Sequence, residues 1–129
     1  MTSEHIPTTT AVAVVAEDEL VILMDLAENL RDLGFAVVET TDAAGALSAL
    51  AEHDNVGLLV TDVHMPGAMN GFALAREVSA RWPGMKVVVC SAYVRPKPSQ
   101  MPEGARFLDK PYSARLLADL LSDMGALAS

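Results

Sequence analysis

The sequence predicts an α/β domain built on a mainly parallel sheet, and three observations lead there. Short apolar runs alternate with amphipathic stretches along the whole chain, the pattern of successive βα units. The length, 129 residues, suits one domain with one core. Finally, acids, a hydroxyl and a lysine stand directly after apolar runs, so a parallel sheet would gather them on the edge where open α/β folds keep their chemistry.

The elements follow in order. Met1 to Thr10 hold neither a basic start nor a long apolar core, and read as a loose tail (1–10) ahead of a domain spanning 11–126. Ala11 to Ala16 is the first strand. From Glu19 to Leu33 the residues Leu23, Leu26, Ala27, Leu30 and Leu33 recur at helical spacing, and Gly34 ends that helix. Phe35 to Val38 is the second strand. Thr41 or Asp42 can cap the next helix, Ala43 to Glu52, by accepting from a free backbone N–H. Gly57 to Thr61 is the third strand, ending at Asp62 and a Pro/Gly loop. The third helix runs from Phe72 to about Arg81, stopping before Pro83 with Leu74, Ala75 and Val78 inward. Met85 to Cys90 is the fourth strand.

The rhythm then breaks. Pro96, Pro98 and Pro102 fall where a fourth helix is due. Each interior proline removes a backbone donor and costs about 3 kcal/mol. The fourth helix is therefore expected to be short or absent. Ala105 to Leu108 is a fifth strand, and Tyr112 to Met124 a last helix with Leu116, Leu117, Leu120 and Leu121 inward.

Composition excludes several functions. A net charge of -8 without a basic cluster disfavours direct contact with nucleic acid or an anionic membrane surface. The single cysteine, Cys90, lies in an apolar run and reads as a small buried hydrophobe. No stretch is apolar for long enough to span a bilayer, and a cytoplasmic location is the default expectation.

The residues that carry chemistry converge on one edge. Glu17 and Asp18 follow the first strand, Asp62 the third, Ser91 the fourth and Lys110 the fifth. Crowded carboxylates repel unless a cation sits among them, and hard oxygen ligands suit Mg2+ or Mn2+. A carboxylate nucleophile with a metal, an ammonium and a hydroxyl around it is a place for in-line phosphoryl transfer. Taken singly, each residue has a plainer reading: Asp62 as a loop acid, and Glu17 and Asp18 as favourable charges at a helix N-terminus.

Together, the pair Glu17-Asp18, Asp62 with Met65-Pro66 and Gly71, Ser91-Ala92, and Lys110-Pro111 resemble the receiver domain of two-component response regulators, over about Ala11 to Met124. The resemblance implies a flavodoxin-like, doubly wound, five-stranded parallel sheet in the order 2-1-3-4-5, an order that also serves as a standard example of such folds. It implies that Asp62 accepts a phosphoryl group from a sensor histidine kinase or histidine phosphotransferase, and that Glu17, Asp18, Asp62 and the backbone carbonyl of His64 hold the metal. Lys110 would pair with a phosphoryl oxygen. Ser91 would turn toward the phosphate and Phe107 would move inward with it, reporting by packing because it lacks a phenolic hydroxyl. The side chains of His64 and Tyr93 would line the approach and tune the phosphoryl lifetime. Three departures stand out: Glu17 where many receivers carry aspartate, a loop between Asp62 and Gly71 one residue longer than the commonest pattern, and a shortened proline-rich segment after Tyr93.

The expectation is a stand-alone receiver, monomeric or weakly dimeric, that signals to a downstream protein or relays its phosphoryl group. A magnesium phosphatase with an aspartyl nucleophile is the alternative, although it would place a second aspartate where His64 stands. A flavin module would need a phosphate-binding loop where Glu17-Asp18-Glu19 stands. A receiver-like docking module indifferent to phosphorylation is the last alternative.

Overall fold

The computed structural model describes residues 11–127. The expected tail at Met1 to Thr10 lies outside them. Five strands and four α-helices alternate: β1 (Val12–Ala16), α1 (Leu20–Asp32), β2 (Ala36–Thr40), α2 (Ala43–Glu52), β3 (Val56–Asp62), α3 (Gly71–Arg81), β4 (Lys86–Ser91), β5 (Arg106–Asp109) and α4 (Ala114–Asp123). All strand pairs are parallel, and the sheet order is β2-β1-β3-β4-β5.

The hydrophobic pattern explains this arrangement. β1 lies between β2 and the central strand β3, and every one of its residues is buried, as a strand covered on both faces requires. Alternate side chains serve opposite layers. Val14, Ala16, Leu59, Val87 and Val89 meet Ala46, Leu50, Leu74 and Val78 of α2 and α3. Ala13, Val15, Leu58, Val60 and Val88 meet Leu23, Leu26, Leu30, Leu117 and Leu121 of α1 and α4.

Helix ends follow local chemistry. Asp42, not Thr41, caps α2, its carboxylate accepting from the Gly45 N–H at 2.8 Å. Asn70 caps α3 through the Ala73 N–H, and Ser113 caps α4 through the Leu116 N–H. Gly34 takes a φ of 101° after α1, a left-handed step that favours glycine.

Between β4 and β5 there is only one 3-10 turn, Pro98–Gln100, as the prolines require. The remainder of residues 92–105 forms an irregular strap, with Val94 and Met101 leaning on the α2/α3 side of the core. The final helix departs from expectation. It starts at Ala114, and of its four leucines only Leu117 and Leu121 are buried, while Leu116 is 49% exposed and Leu120 half-buried. A helix lying on one sheet face buries a narrower stripe than four adjacent leucines would fill. β3, β4 and β5 each extend one residue beyond the expected end, so Asp62, Ser91 and Asp109 close their strands.

Candidate functional site

Parallel strands bring the predicted residues to a single edge. β1 ends at Ala16, so Glu17 and Asp18 emerge beside Asp62 at the end of the neighbouring β3. One strand further, Asp62 is in register with Cys90, which places Ser91 next in line, and Ser91 is in register with Asp109, just before Lys110. The Ser91 carbonyl accepts from the Lys110 backbone N–H at 3.0 Å, and the Cys90 carbonyl from the Val63 N–H at 3.0 Å. Ladder bonds thus fix the separations between the site residues before any side chain acts.

The acids are more enclosed than strand-end residues read from sequence. Glu17 is buried, and the Asp62 side chain is only 12% exposed, so position 62 holds a recessed acid rather than an open loop acid. Glu17 is fully engaged: one carboxylate oxygen accepts from the Glu19 N–H at 3.1 Å and the other from the Lys110 ammonium at 2.5 Å. Lys110 also reaches an Asp62 oxygen at 3.2 Å.

Burial raises the Glu17 pKa, since a charged carboxylate loses hydration there, and the Lys110 hydrogen bond only partly offsets this. For Lys110, burial alone would lower the pKa. The hydrogen bond to Glu17 and the charge of Asp62 outweigh it, and the ammonium is held above its ordinary value. An ion pair acting alone would lower the acid and raise the base, so the upward shift at Glu17 marks how strongly desolvation weighs at the inner end of the pair.

Oxygen atoms of Glu17, Asp18 and Asp62 all lie within 4.8 Å of one another. Three carboxylates and one ammonium leave a net charge of minus two, and all the donors are hard oxygens, so the residues fit a divalent cation such as Mg2+. They open into a cleft of about 410 Å³, also lined by Glu19, Ile22, His64, Ala92, Tyr93 and Pro111. His64 and Tyr93 stand at its mouth with ring centroids 6.3 Å apart. Phe107, in register with Val89, is not part of the cleft; it packs half-buried against the core cluster on the α2/α3 side of the sheet.

Two features escaped the sequence reading. One is the primary attachment of Lys110 to Glu17 rather than to Asp62, which could not be read because reach depends on the depth of each strand end. The other is the closeness of Gly71: a β-carbon there would collide with the Asp62 carbonyl oxygen and lie 2.8 Å from both the Asp62 carbonyl carbon and the Val63 α-carbon. A glycine at a loop-to-helix junction was the available signal.

Beneath the site, Cys90 is buried and its thiol is pushed up to about 12 by desolvation. Burial, together with contact with Cys90, also raises the Tyr112 phenol. Among the described residues no helix is long and apolar enough to cross a membrane.

Residues 13–122 match the response regulator receiver domain family. A 118-residue alignment, 31% identical, relates 88% of the chain to 12% of the sensor kinase CckA of Brucella abortus. The transcriptional regulatory protein PdtaR of Mycobacterium tuberculosis is 42% identical over 82 residues, 58% of this chain and 39% of that protein. The chain therefore spans well under half the length of these curated relatives. Among solved structures, a response regulator receiver protein from Sinorhizobium medicae superposes with a TM-score of 0.84 at 24% identity, over 92% of this chain and 96% of that one, and shows the shared fold. The receiver domain of the hybrid histidine kinase CckA superposes with a TM-score of 0.73 at 27% identity, over 88% of this chain and 97% of that one.

Proposed function

Because the chain belongs to the response regulator receiver domain family, whose members are signalling phosphoacceptors, we propose that Asp62 accepts a phosphoryl group from a histidine kinase or histidine phosphotransferase in a Mg2+-dependent reaction in the cytoplasm. The observation that carries this reading is the placement of Lys110, an ammonium spanning Glu17 and Asp62 at the floor of an acidic cleft. We assign the receiver unit to residues 11–126.

An Asp62 oxygen attacks the phosphorus of a phosphohistidine. The new O–P bond forms as the N–P bond breaks, and the imidazole nitrogen leaves with the electron pair. Asp18, Asp62, Glu17 and the His64 backbone carbonyl would hold the metal, which supplies positive charge to the phosphoryl oxygens when bound. Lys110 turns from the Asp62 oxygen to a phosphoryl oxygen while Glu17 keeps hold of it. This anchoring makes Lys110 a fixed charge needing little reorganisation during transfer. Ser91 supplies a hydroxyl donor and couples to Phe107 as the switch. His64 and Tyr93, at the mouth of the cleft, set how readily water reaches the phosphoryl group. The phosphorylated state is read by a downstream protein or passed on in a relay.

The test is phosphorylation by acetyl phosphate, followed by intact-mass spectrometry. The wild-type chain gains one phosphoryl group only when Mg2+ is present, and Asp62→Asn gains none. Equal labelling of the two proteins would show that another residue is the acceptor.

A further inference from the structure

The acidic cleft has a neighbour. Ile22, Lys110 and Pro111 line the cleft, and the same residues also line a groove of about 300 Å³ between α1 and the loop from β5 to α4. The two hollows are therefore continuous, sharing the edge made by the Lys110-Pro111 step and the first turn of α1. The groove has the volume of a small ligand site, where the usual range is about 300–1,000 Å³.

Its chemistry is unlike that of the cleft. Val21 and Ile22 stand one helical turn before Asp25 and Leu26, so the two pairs form adjacent rows along one side of α1. Leu26 is buried and Val21 is 80% exposed, which gives the groove an apolar floor and an apolar outer lip. Pro111 and the half-buried ring of Tyr112 make the opposite wall. Lys110 brings no free charge to it, because its ammonium is held by Glu17 and Asp62; what faces the groove is the methylene stem. Asp25, exposed on the rim, is the remaining charge.

We propose that this groove is an acyl subsite, and that the acceptor site takes low-mass acyl phosphates with a preference for those carrying a short apolar acyl chain. The inference rests on the reading of Asp62 as phosphoacceptor and names a donor class for it. With the phosphoryl group against Asp62 and Lys110, the acyl group stands at the edge that cleft and groove share, and its chain lies along Val21, Leu26 and Tyr112. An Asp62 oxygen attacks phosphorus. The new O–P bond forms as the bond from phosphorus to the acyl oxygen breaks, and the carboxylate leaves with that electron pair, so no proton has to move. The groove contributes binding alone: each methylene that passes from water onto its apolar walls gains transfer free energy, which raises the second-order rate constant. Asp25 bounds the class, since an acyl chain with its own carboxylate is brought against a like charge.

Time courses of phosphorylation, followed by intact-mass spectrometry on the full chain with Mg2+, test this with acetyl, butyryl and succinyl phosphate and with phosphoramidate, which has no acyl group. Acetate and butyrate are leaving groups of near-equal basicity, so a difference between their phosphates reports the groove. Butyryl phosphate reacts about tenfold faster than acetyl phosphate, close to the transfer value of two added methylenes. Val21→Ser, which removes the outer lip, cuts that ratio to about threefold, the loss of roughly one methylene's worth of contact, and leaves the phosphoramidate rate unchanged. Succinyl phosphate lags behind butyryl phosphate, and Asp25→Asn narrows the gap. Equal rates for acetyl and butyryl phosphate, or a ratio untouched by Val21→Ser, overturn the acyl subsite while leaving the phosphoacceptor reading intact. A Val21→Ser protein slowed equally toward phosphoramidate overturns it too, because position 21 then acts on the site as a whole. A succinyl gap that survives Asp25→Asn removes the role given to that acid. No labelling by any of these donors sinks the phosphoacceptor reading, and the subsite with it.

Discussion

Replacing Gly71 by alanine should destabilise the protein through the backbone of the acceptor residue itself. The added methyl would overlap the Asp62 carbonyl oxygen and lie 2.8 Å from the Asp62 carbonyl carbon and the Val63 α-carbon. Ordinary carbon contacts begin near 3.5 Å, so those backbone atoms must retreat by roughly 0.7 Å. They cannot swing aside like the tip of a side chain, because the Gly71 N–H is bonded to the Val63 carbonyl at 2.8 Å and the Val63 N–H to Cys90. Overpacking of this kind costs about 1–3 kcal/mol, against which the stiffer unfolded chain returns about 0.4–1 kcal/mol. The net expectation is a loss of about 1–2 kcal/mol, or a Tm lower by roughly 4–7 °C for a chain of this size. Gly57, with nothing within 4 Å of an added β-carbon, is the control, and Gly57→Ala should match or exceed the wild type. Thermal unfolding followed by circular dichroism decides the matter. A Gly71→Ala protein as stable as Gly57→Ala would refute the reasoning, and labelling by acetyl phosphate would show whether the displaced Asp62 backbone also slows the chemistry.

Other expectations concern the charged floor of the site and the thiol below it. Lys110→Ala should slow phosphorylation by about a hundredfold, the usual loss when one preorganised donor is removed, while Mg2+ binds at least as tightly because a competing cation has gone. Weaker Mg2+ binding in a titration would contradict that account. Cys90, buried with its thiol pushed up to about 12, should resist iodoacetamide at pH 8 in the native state and react in guanidinium. The same shift fixes a pH dependence. A thiol raised in the fold contributes stability that is complete below its unfolded pKa of 9.0 and is lost as pH rises toward 12. Urea midpoints should therefore fall above pH 9, and Cys90→Ala should fall less steeply; parallel curves would show that the thiol takes no part.

Much of this was legible in the sequence because the same residues determine both period and placement. The apolar runs of β1, β3 and β4 are continuous, as strands covered on both faces must be, and once they are parallel Glu17, Asp18, Asp62, Ser91 and Lys110 have only one edge to share. The three prolines removed the helix between β4 and β5 by local chemistry alone. What could not be read depends on depth and fit. Leu116 and Leu117 are adjacent in sequence with equal hydrophobicity, and only the direction in which α4 meets the sheet decides that the first faces water and the second the core. In the same way, nothing in the order of residues says that Lys110 reaches Glu17 more closely than Asp62, since that follows from how deeply each strand end sits.

The strand order has one more consequence, for how such a chain can change over generations. β1, β3, β4 and β5 lie side by side and each delivers a reactive group at its end, whereas β2 occupies the outer position beyond β1 and delivers none. It reaches the site only through its backbone, where the Thr40 carbonyl accepts from the Glu17 N–H at 3.1 Å, and that bond is indifferent to side-chain identity. Val37 and Val38 still pack half-buried against the two cores and can change only among apolar residues of similar size, and Glu39 gives up only an open ion pair with Arg31 when it changes, so β2 can vary within those packing limits without touching the chemistry that the other four strands carry.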